Sequence, residues 1–174
     1  MKVKINFIIC TFTLLNLTSF EVLCQSIKDN AGTQFAFAIE KDGKVYTWGY
    51  NPFGSLGNNT TTSSSSPVLV SKGAYSGTTY LGDDSSNKII MMSAYGYTVI
   101  ALDENGLVYT WGRNQSGQLG DNSTTDRLTP VKVLKGEYSG TTYLGDDSSN
   151  KITAISAGAY FSYALATDGT VYAW

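Results

Sequence analysis

The tryptophans of this 174-residue chain stand at positions 48, 111 and 174, two successive intervals of 63 residues. The turn glycines Gly43, Gly106 and Gly169 keep the same interval, and the fifteen-residue run YSGTTYLGDDSSNKI occurs at 75–89 and again at 138–152. Identity over that length, in register, means tandem repetition. The fold must be one supersecondary unit made more than once and buried against its own copies.

Inside one period the local signals are those of β-strands. An apolar run at 98–102 is followed by Asp-Glu-Asn-Gly and then by a β-prone run at 107–111, which predicts a hairpin whose glycine, Gly106, supplies the positive φ of the turn. The equivalent hairpins are 35–39 with 44–48, turning at Gly43, and 161–165 with 170–174, turning at Gly169. Further strands are expected at 89–94, 152–157 and 131–134. A unit of about four antiparallel strands is the size of one β-propeller blade, so the expected class is all-β, with about two to two and a half blades present. Strands such as Val99-Ile100-Ala101-Leu102 are apolar on both faces, as a sheet covered by a neighbour on each side requires.

After each complete hairpin comes Trp-Gly-x-Asn-x-x-Gly-x-Leu-Gly. It reads Trp48-Gly49 through Asn51, Gly54, Leu56 and Gly57, then Trp111-Gly112 through Asn114, Gly117, Leu119 and Gly120. With Asp168-Gly169 before Trp174, this compound motif resembles the repeat of the regulator of chromosome condensation family. The resemblance covers residues 31–174 and implies a propeller, typically seven-bladed, with units at 31–93, 94–156 and, in part, 157–174. It also implies nucleotide exchange on a small GTPase as one activity. Against that, the family often has His before the Ser or Thr of its second strand, where this chain has Phe35, Thr98 and Phe161. The stretches 73–88 and 136–151 lengthen the unit beyond the ~50 residues of a compact propeller repeat, and an extended loop or hairpin on one face is expected there. Rings close with about four to eight blades, so a fragment of a longer propeller is expected.

Lys2 and Lys4 precede a mainly apolar stretch from Ile5 to Phe20, the pattern of an export signal ending near Cys24, with a short segment at 25–30 leading into the repeats. The expected location is secreted, periplasmic or cell-surface, with no transmembrane segment after cleavage; lipidation of Cys24 is the alternative. Cys10 and Cys24 both lie in this region, so no disulfide is expected in the repeats.

The chemistry of the repeats is sparse. The chain has no histidine, which removes imidazole acid–base catalysis and His metal ligation. Its 12 basic residues are scattered singly among 14 acidic ones, so nucleic acid is not an expected partner. Asp83-Asp84 and Asp146-Asp147 read as turn formers, because adjacent side chains on an extended segment point to opposite sides and EF-hand spacing is missing. The Gly-x-Leu-Gly turns lack the helix and lysine of a phosphate loop. Neither a cofactor, a metal nor a catalytic residue is assigned.

Repeated residues are best explained by what each blade needs in order to pack: Gly43, Trp48, Gly49, Leu56, Gly57, Gly106, Trp111, Gly112, Leu119, Gly120, Gly169 and Trp174. Recognition should use positions that differ between copies. Tyr50, Pro52 and Phe53 become Arg113, Gln115 and Ser116, and Ser63-Ser64 becomes Asp126-Arg127. Tyr and Arg are favoured interface anchors, which makes Tyr50, Phe53, Arg113 and Arg127 the candidate contacts. The expected role is a non-enzymatic scaffold for a protein or surface glycan. Nucleotide exchange and a secreted hydrolase or lyase are the alternatives.

Overall fold

The computed structural model describes residues 23–28 and 34–174, which form three antiparallel sheets and no helix. The first sheet contains β1 (Leu23–Lys28), β2 (Gln34–Ile39), β3 (Val45–Gly49) and β4 (Ser64–Leu69) in that order. The second repeats it with β5 (Ile89–Tyr95), β6 (Thr98–Asp103), β7 (Val108–Gly112) and β8 (Arg127–Lys132). The third has β9 (Ile152–Ala157), β10 (Ser162–Ala166) and β11 (Val171–Ala173). Each sequence period therefore straddles two sheets, taking later strands from one and the opening strand from the next.

The three predicted hairpins are β2–β3, β6–β7 and β10–β11, and their turn glycines have φ of 99°, 98° and 88°, a left-handed conformation that only glycine adopts freely. The expected signal segment lies outside the described residues up to position 22. Leu23 and Cys24 at its end are paired in β1 with Ile39 and Ala38. By the repeat, Lys28 would stand opposite Ile39 as Met91 stands opposite Leu102, so the opening strand of the first sheet departs from the register of the second.

Stacking decides which faces are dry. Every residue of β6 and β7 is buried, whereas β10 alternates buried with exposed. Leu102 and its equivalent Leu165 show the cause: the first is 0% exposed between two sheets, and the second is 38% exposed on a sheet with one neighbour. One apolar cluster joins the first and second sheets through Phe37, Leu56, Val99 and Trp111; another joins the second and third through Ile100, Leu102, Ile152 and Ala164. Each large side chain so buried contributes roughly 1.5–3 kcal/mol of transfer free energy.

One expectation needs correction. The fourth strand of the second sheet was expected at 131–134 but runs over Arg127–Lys132, and Leu134 only bridges to Tyr143. Pro130 reads as a strand breaker, yet its carbonyl faces away from β7 and accepts from Ala74 N at 2.8 Å. The missing N–H of the same residue faces that way too, so no ladder bond is lost. The stretches 73–88 and 136–151 do lie on one side of the sheets, beside the turns at Gly43 and Gly106, but they are more than surface loops. They deliver Tyr75, Leu81, Tyr138 and Leu144 into the core, and Leu81 O accepts from Val45 N at the start of β3.

Candidate partner-binding face

The loop that follows each third strand is built around one asparagine. Asn114 is fully buried, its Oδ1 accepts from Leu119 N at 2.9 Å, and its Nδ2 donates to the carbonyls of Ser123 and Thr125 at 3.1 Å. Asn51 does the same with Leu56 N, Thr60 O and Thr62 O. The side chain thus satisfies backbone groups that turn inward and holds Leu56 or Leu119 beneath the sheet, both 0% exposed. Positions that differ between copies can still serve alike: Asn51 N donates to Ser63 Oγ, and Asn114 N to Asp126 Oδ1.

These pinned loops present the candidate contacts. Three of the four come together across the boundary between the first and second sheets. The ring of Phe53 lies 4.7 Å from that of Tyr97, Tyr50 lies 6.1 Å from Tyr97, and the Arg113 guanidinium sits 5.3 Å above the Phe53 ring. Tyr50 is 50% exposed. Gln115 Oε1 accepts from Arg113 Nε and Nη2 at 3.2 and 2.7 Å, which holds the guanidinium over the ring. A cation so placed is attracted by the ring's negative face, worth about 0.5–1 kcal/mol at an exposed site.

Tyr97 was not among the sequence candidates. It sits in the turn between β5 and β6, far in sequence from Phe53, and only the stacking of sheets makes them neighbours. Its carbonyl accepts from Ser55 Oγ at 2.8 Å and from Arg113 N at 3.0 Å, tying both loops to one point. A Cβ on Gly112 would fall 2.0 Å from that oxygen, which explains why glycine follows the tryptophan there.

Arg127 stands apart from this group. Its Nε donates to Asp121 Oδ2 at 2.6 Å and its Nη2 to Ser123 Oγ, so it braces its own loop. Burial pushes the Asp121 carboxyl up, but donors from Ser123, Arg127 and Asn114 outweigh it and hold the group below the usual aspartate value.

The acidic pairs lie on the opposite side of the sheets. Asp83 accepts from the backbone N–H groups of Thr78, Thr79 and Tyr80 and from Thr78 Oγ1; Asp146 repeats this with Thr141, Thr142 and Tyr143. Asp84 is held by Ser86 and Ser76. These carboxylates organise turns. Among the described residues the most buried acid is Asp103, which accepts from Asn87, Tyr109 and, in its own hairpin turn, Asn105 N and Leu107 N. Burial raises its pKa despite these donors. Among the described residues no three His, Cys, Asp or Glu side chains converge as metal ligands.

Antiparallel sheets of up to four strands stacked face to face at a fixed repeat, with the loops after each third strand gathered on one side, define a stretch of β-propeller blades. The profile of the regulator of chromosome condensation (RCC1) repeat matches residues 42–102 and 105–165, and the chain belongs to that family. It is 29% identical over 147 residues to Protein RCC1 of Candida albicans, covering 83% of this chain and 30% of that one. It is 32% identical over 138 residues to the Protein RCC2 homolog of Danio rerio, covering 78% of this chain and 23% of that one. Yeast RCC1 (Prp20), solved bound to Kap60, superposes with a TM-score of 0.60 at 22% identity, over 82% of this chain and 30% of that one. The chain thus spans less than a third of the length of these relatives.

Proposed function

We propose that the chain is an exported, non-enzymatic propeller scaffold that holds a protein partner against the loop face at Tyr50, Phe53, Tyr97 and Arg113. The observation that carries this reading is the ring-and-guanidinium group shared by two blades on loops pinned by Asn51 and Asn114. Rigid aromatic and Arg anchors lose little conformational freedom on binding, which is why they dominate interface energetics. The family relation supports a protein partner, since the yeast relative was solved in complex with one. Export rests on Lys2, Lys4 and the apolar run after them. Glycan binding and nucleotide exchange remain as outcomes of the same test.

The test immobilises the purified chain and compares Tyr50→Ala with Arg113→Ala, and with Asp42→Ala on the opposite side. The reading predicts that a protein from the cell-surface or secreted fraction is retained by the wild type and by Asp42→Ala, and lost from the other two. Retention of glycan after protease treatment, or of a small GTPase with accelerated nucleotide release, would replace it.

A further inference from the structure

The β6–β7 hairpin turns on the only Asn-Gly pair in the sequence, Asn105-Gly106, where its copies turn on Asp42-Gly43 and Asp168-Gly169. The aspartate of each copy is tied into its own turn. Asp42 Oδ1 accepts from Lys44 N at 3.2 Å, and Asp168 accepts from Thr170 N at 2.8 Å and from Asn150 Nδ2 at 2.9 Å. In the middle hairpin a different residue takes these donors. Asp103, which stands where the copies have Glu40 and Ala166, accepts through Oδ1 from Asn105 N at 3.0 Å and Leu107 N at 2.9 Å, and through Oδ2 from Asn87 Nδ2 at 2.9 Å.

The Asn105 side chain is thereby left over. It is exposed and makes no hydrogen bond among the described residues. By contrast Asn51, Asn87 and Asn114 are buried, and Asn150 is bonded through both side-chain atoms. Asn59 and Asn122 are followed by Thr60 and Ser123, whose side chains hinder approach to the next backbone nitrogen. At Asn105 the next residue is glycine, which has no Cβ to stand in the way.

We propose that Asn105-Gly106 is a spontaneous modification site, where the asparagine converts through a cyclic imide to aspartate and isoaspartate and so loosens the turn against the stretch 136–151. Base removes the proton of Gly106 N, the nitrogen attacks Asn105 Cγ to close a five-membered ring, and Nδ2 leaves as ammonia. Water then opens the ring. Addition at Cγ gives aspartate with the ordinary main chain, and addition at the main-chain carbonyl gives isoaspartate, whose main chain runs through Cβ and Cγ. The balance is one water consumed and one ammonia released.

The fold sets the pace of this reaction. Gly106 N donates to Asp103 O at 3.1 Å, so it attacks only when the tip of the turn opens, a local fluctuation far smaller than unfolding. The fold also sets the consequence. A Cβ on Gly145 would lie 1.8 Å from Gly106 O, so the stretch 136–151 is fitted against this turn, and Val108 N donates to Leu144 O at 3.4 Å beside it. Isoaspartate lengthens the main chain by one carbon and displaces the Gly106 carbonyl from that fit. The ordinary aspartate product keeps the backbone of the other two hairpins. This turn lies on the opposite side from Tyr50, and the reaction is independent of any partner bound there.

The purified full chain is held in mildly alkaline buffer for weeks and sampled by peptide mass spectrometry, with electron-transfer fragmentation to tell isoaspartate from aspartate. Asn105 should convert before Asn59 and Asn122, give both products, and react severalfold more slowly than a synthetic peptide of residues 101–110. Asn105→Gln, which needs a six-membered ring, should stay unmodified and keep wild-type thermal stability. Hydrogen exchange of the isoaspartate fraction should be faster at Val108 and Leu144 than in the unmodified chain, and Asn105→Asp should match the unmodified chain there. Survival of Asn105 after Asn59 or Asn122 has reacted, aspartate formed without isoaspartate, or isoaspartate that leaves exchange at Val108 and Leu144 unchanged would each overturn the proposal.

Discussion

The indole Nε1 of Trp111, in the second sheet, donates to the carbonyl of Ser55 in the first at 2.9 Å, with the ring fully buried. A Cβ on Gly57 would lie 2.9 Å from the same nitrogen, so the Gly-x-Leu-Gly turn of one blade is shaped to admit the tryptophan of the next. Trp174 meets Gly120 in the same way one period later, but there Gln118 O accepts from Ser162 Oγ and the indole N–H is left without a partner.

Trp111→Phe should therefore cost about 1–3 kcal/mol, because it leaves the buried Ser55 carbonyl unpaired. The same substitution at Trp48, which is only half-buried, should cost less than about 1 kcal/mol. Urea unfolding midpoints of the two variants measure the difference, which isolates the contribution of the neighbouring sheet.

Asn114→Ala removes an acceptor for Leu119 N and donors to two loop carbonyls at a site closed to water. A loss of about 2–4 kcal/mol is expected. Asn114→Asp should not rescue it, since a carboxylate there would face those carbonyls with no proton to give. Denaturant titration of both variants checks this.

Acid should destabilise the fold through Asp83 and Asp146. Burial pushes each carboxyl up, but the N–H groups of Tyr80 and Thr79, or of Tyr143 and Thr142, with the neighbouring threonine hydroxyl, outweigh it and bring both below the ordinary value. A lowered folded-state pKa gives stability that is complete above the unfolded value of about 3.9 and is lost as pH falls through the folded one. Asp103 has the opposite sign: its raised pKa favours the fold at low pH and withdraws that gain as pH climbs from the ordinary aspartate range to its folded value. Unfolding midpoints from pH 2 to 7 should fall steeply below about pH 4 in the wild type and more gently in the Asp83→Asn, Asp146→Asn double variant.

Much of this architecture was legible because repetition multiplies weak signals. One Asp-Gly or Asn-Gly between two β-prone runs is a modest hint, whereas such a turn at Gly43, Gly106 and Gly169, at one fixed interval, places three hairpins. The group at Tyr50, Phe53 and Arg113 was found by asking which loop residues differ between copies. Tyr97 escaped that comparison because it enters from another turn, and only the stacking distance brings its ring to 4.7 Å from Phe53. Arg127 looked free in sequence because Asp121, the acid that holds it, lies in the same loop and has no marker of its own. Pro130 hid the start of β8 because nothing local says which way a proline nitrogen will face.

Tyr50→Ala and Arg113→Ala should each change stability by no more than about 1 kcal/mol, since Tyr50 is half exposed, Arg113 contributes a surface cation–ring contact, and the loops beneath are held by Asn51 and Asn114. Thermal unfolding within a few degrees of wild type, beside a loss of partner binding, would separate recognition from folding at this face.

Amide hydrogen exchange along the chain reads the stacking of sheets most directly. Burial on both sides should make β6 and β7 the slowest segments, with β10 and β11 faster although they repeat the same sequence pattern. Equal protection of 98–112 and 161–173 would mean that a neighbouring sheet adds nothing to a blade, and would contradict the account.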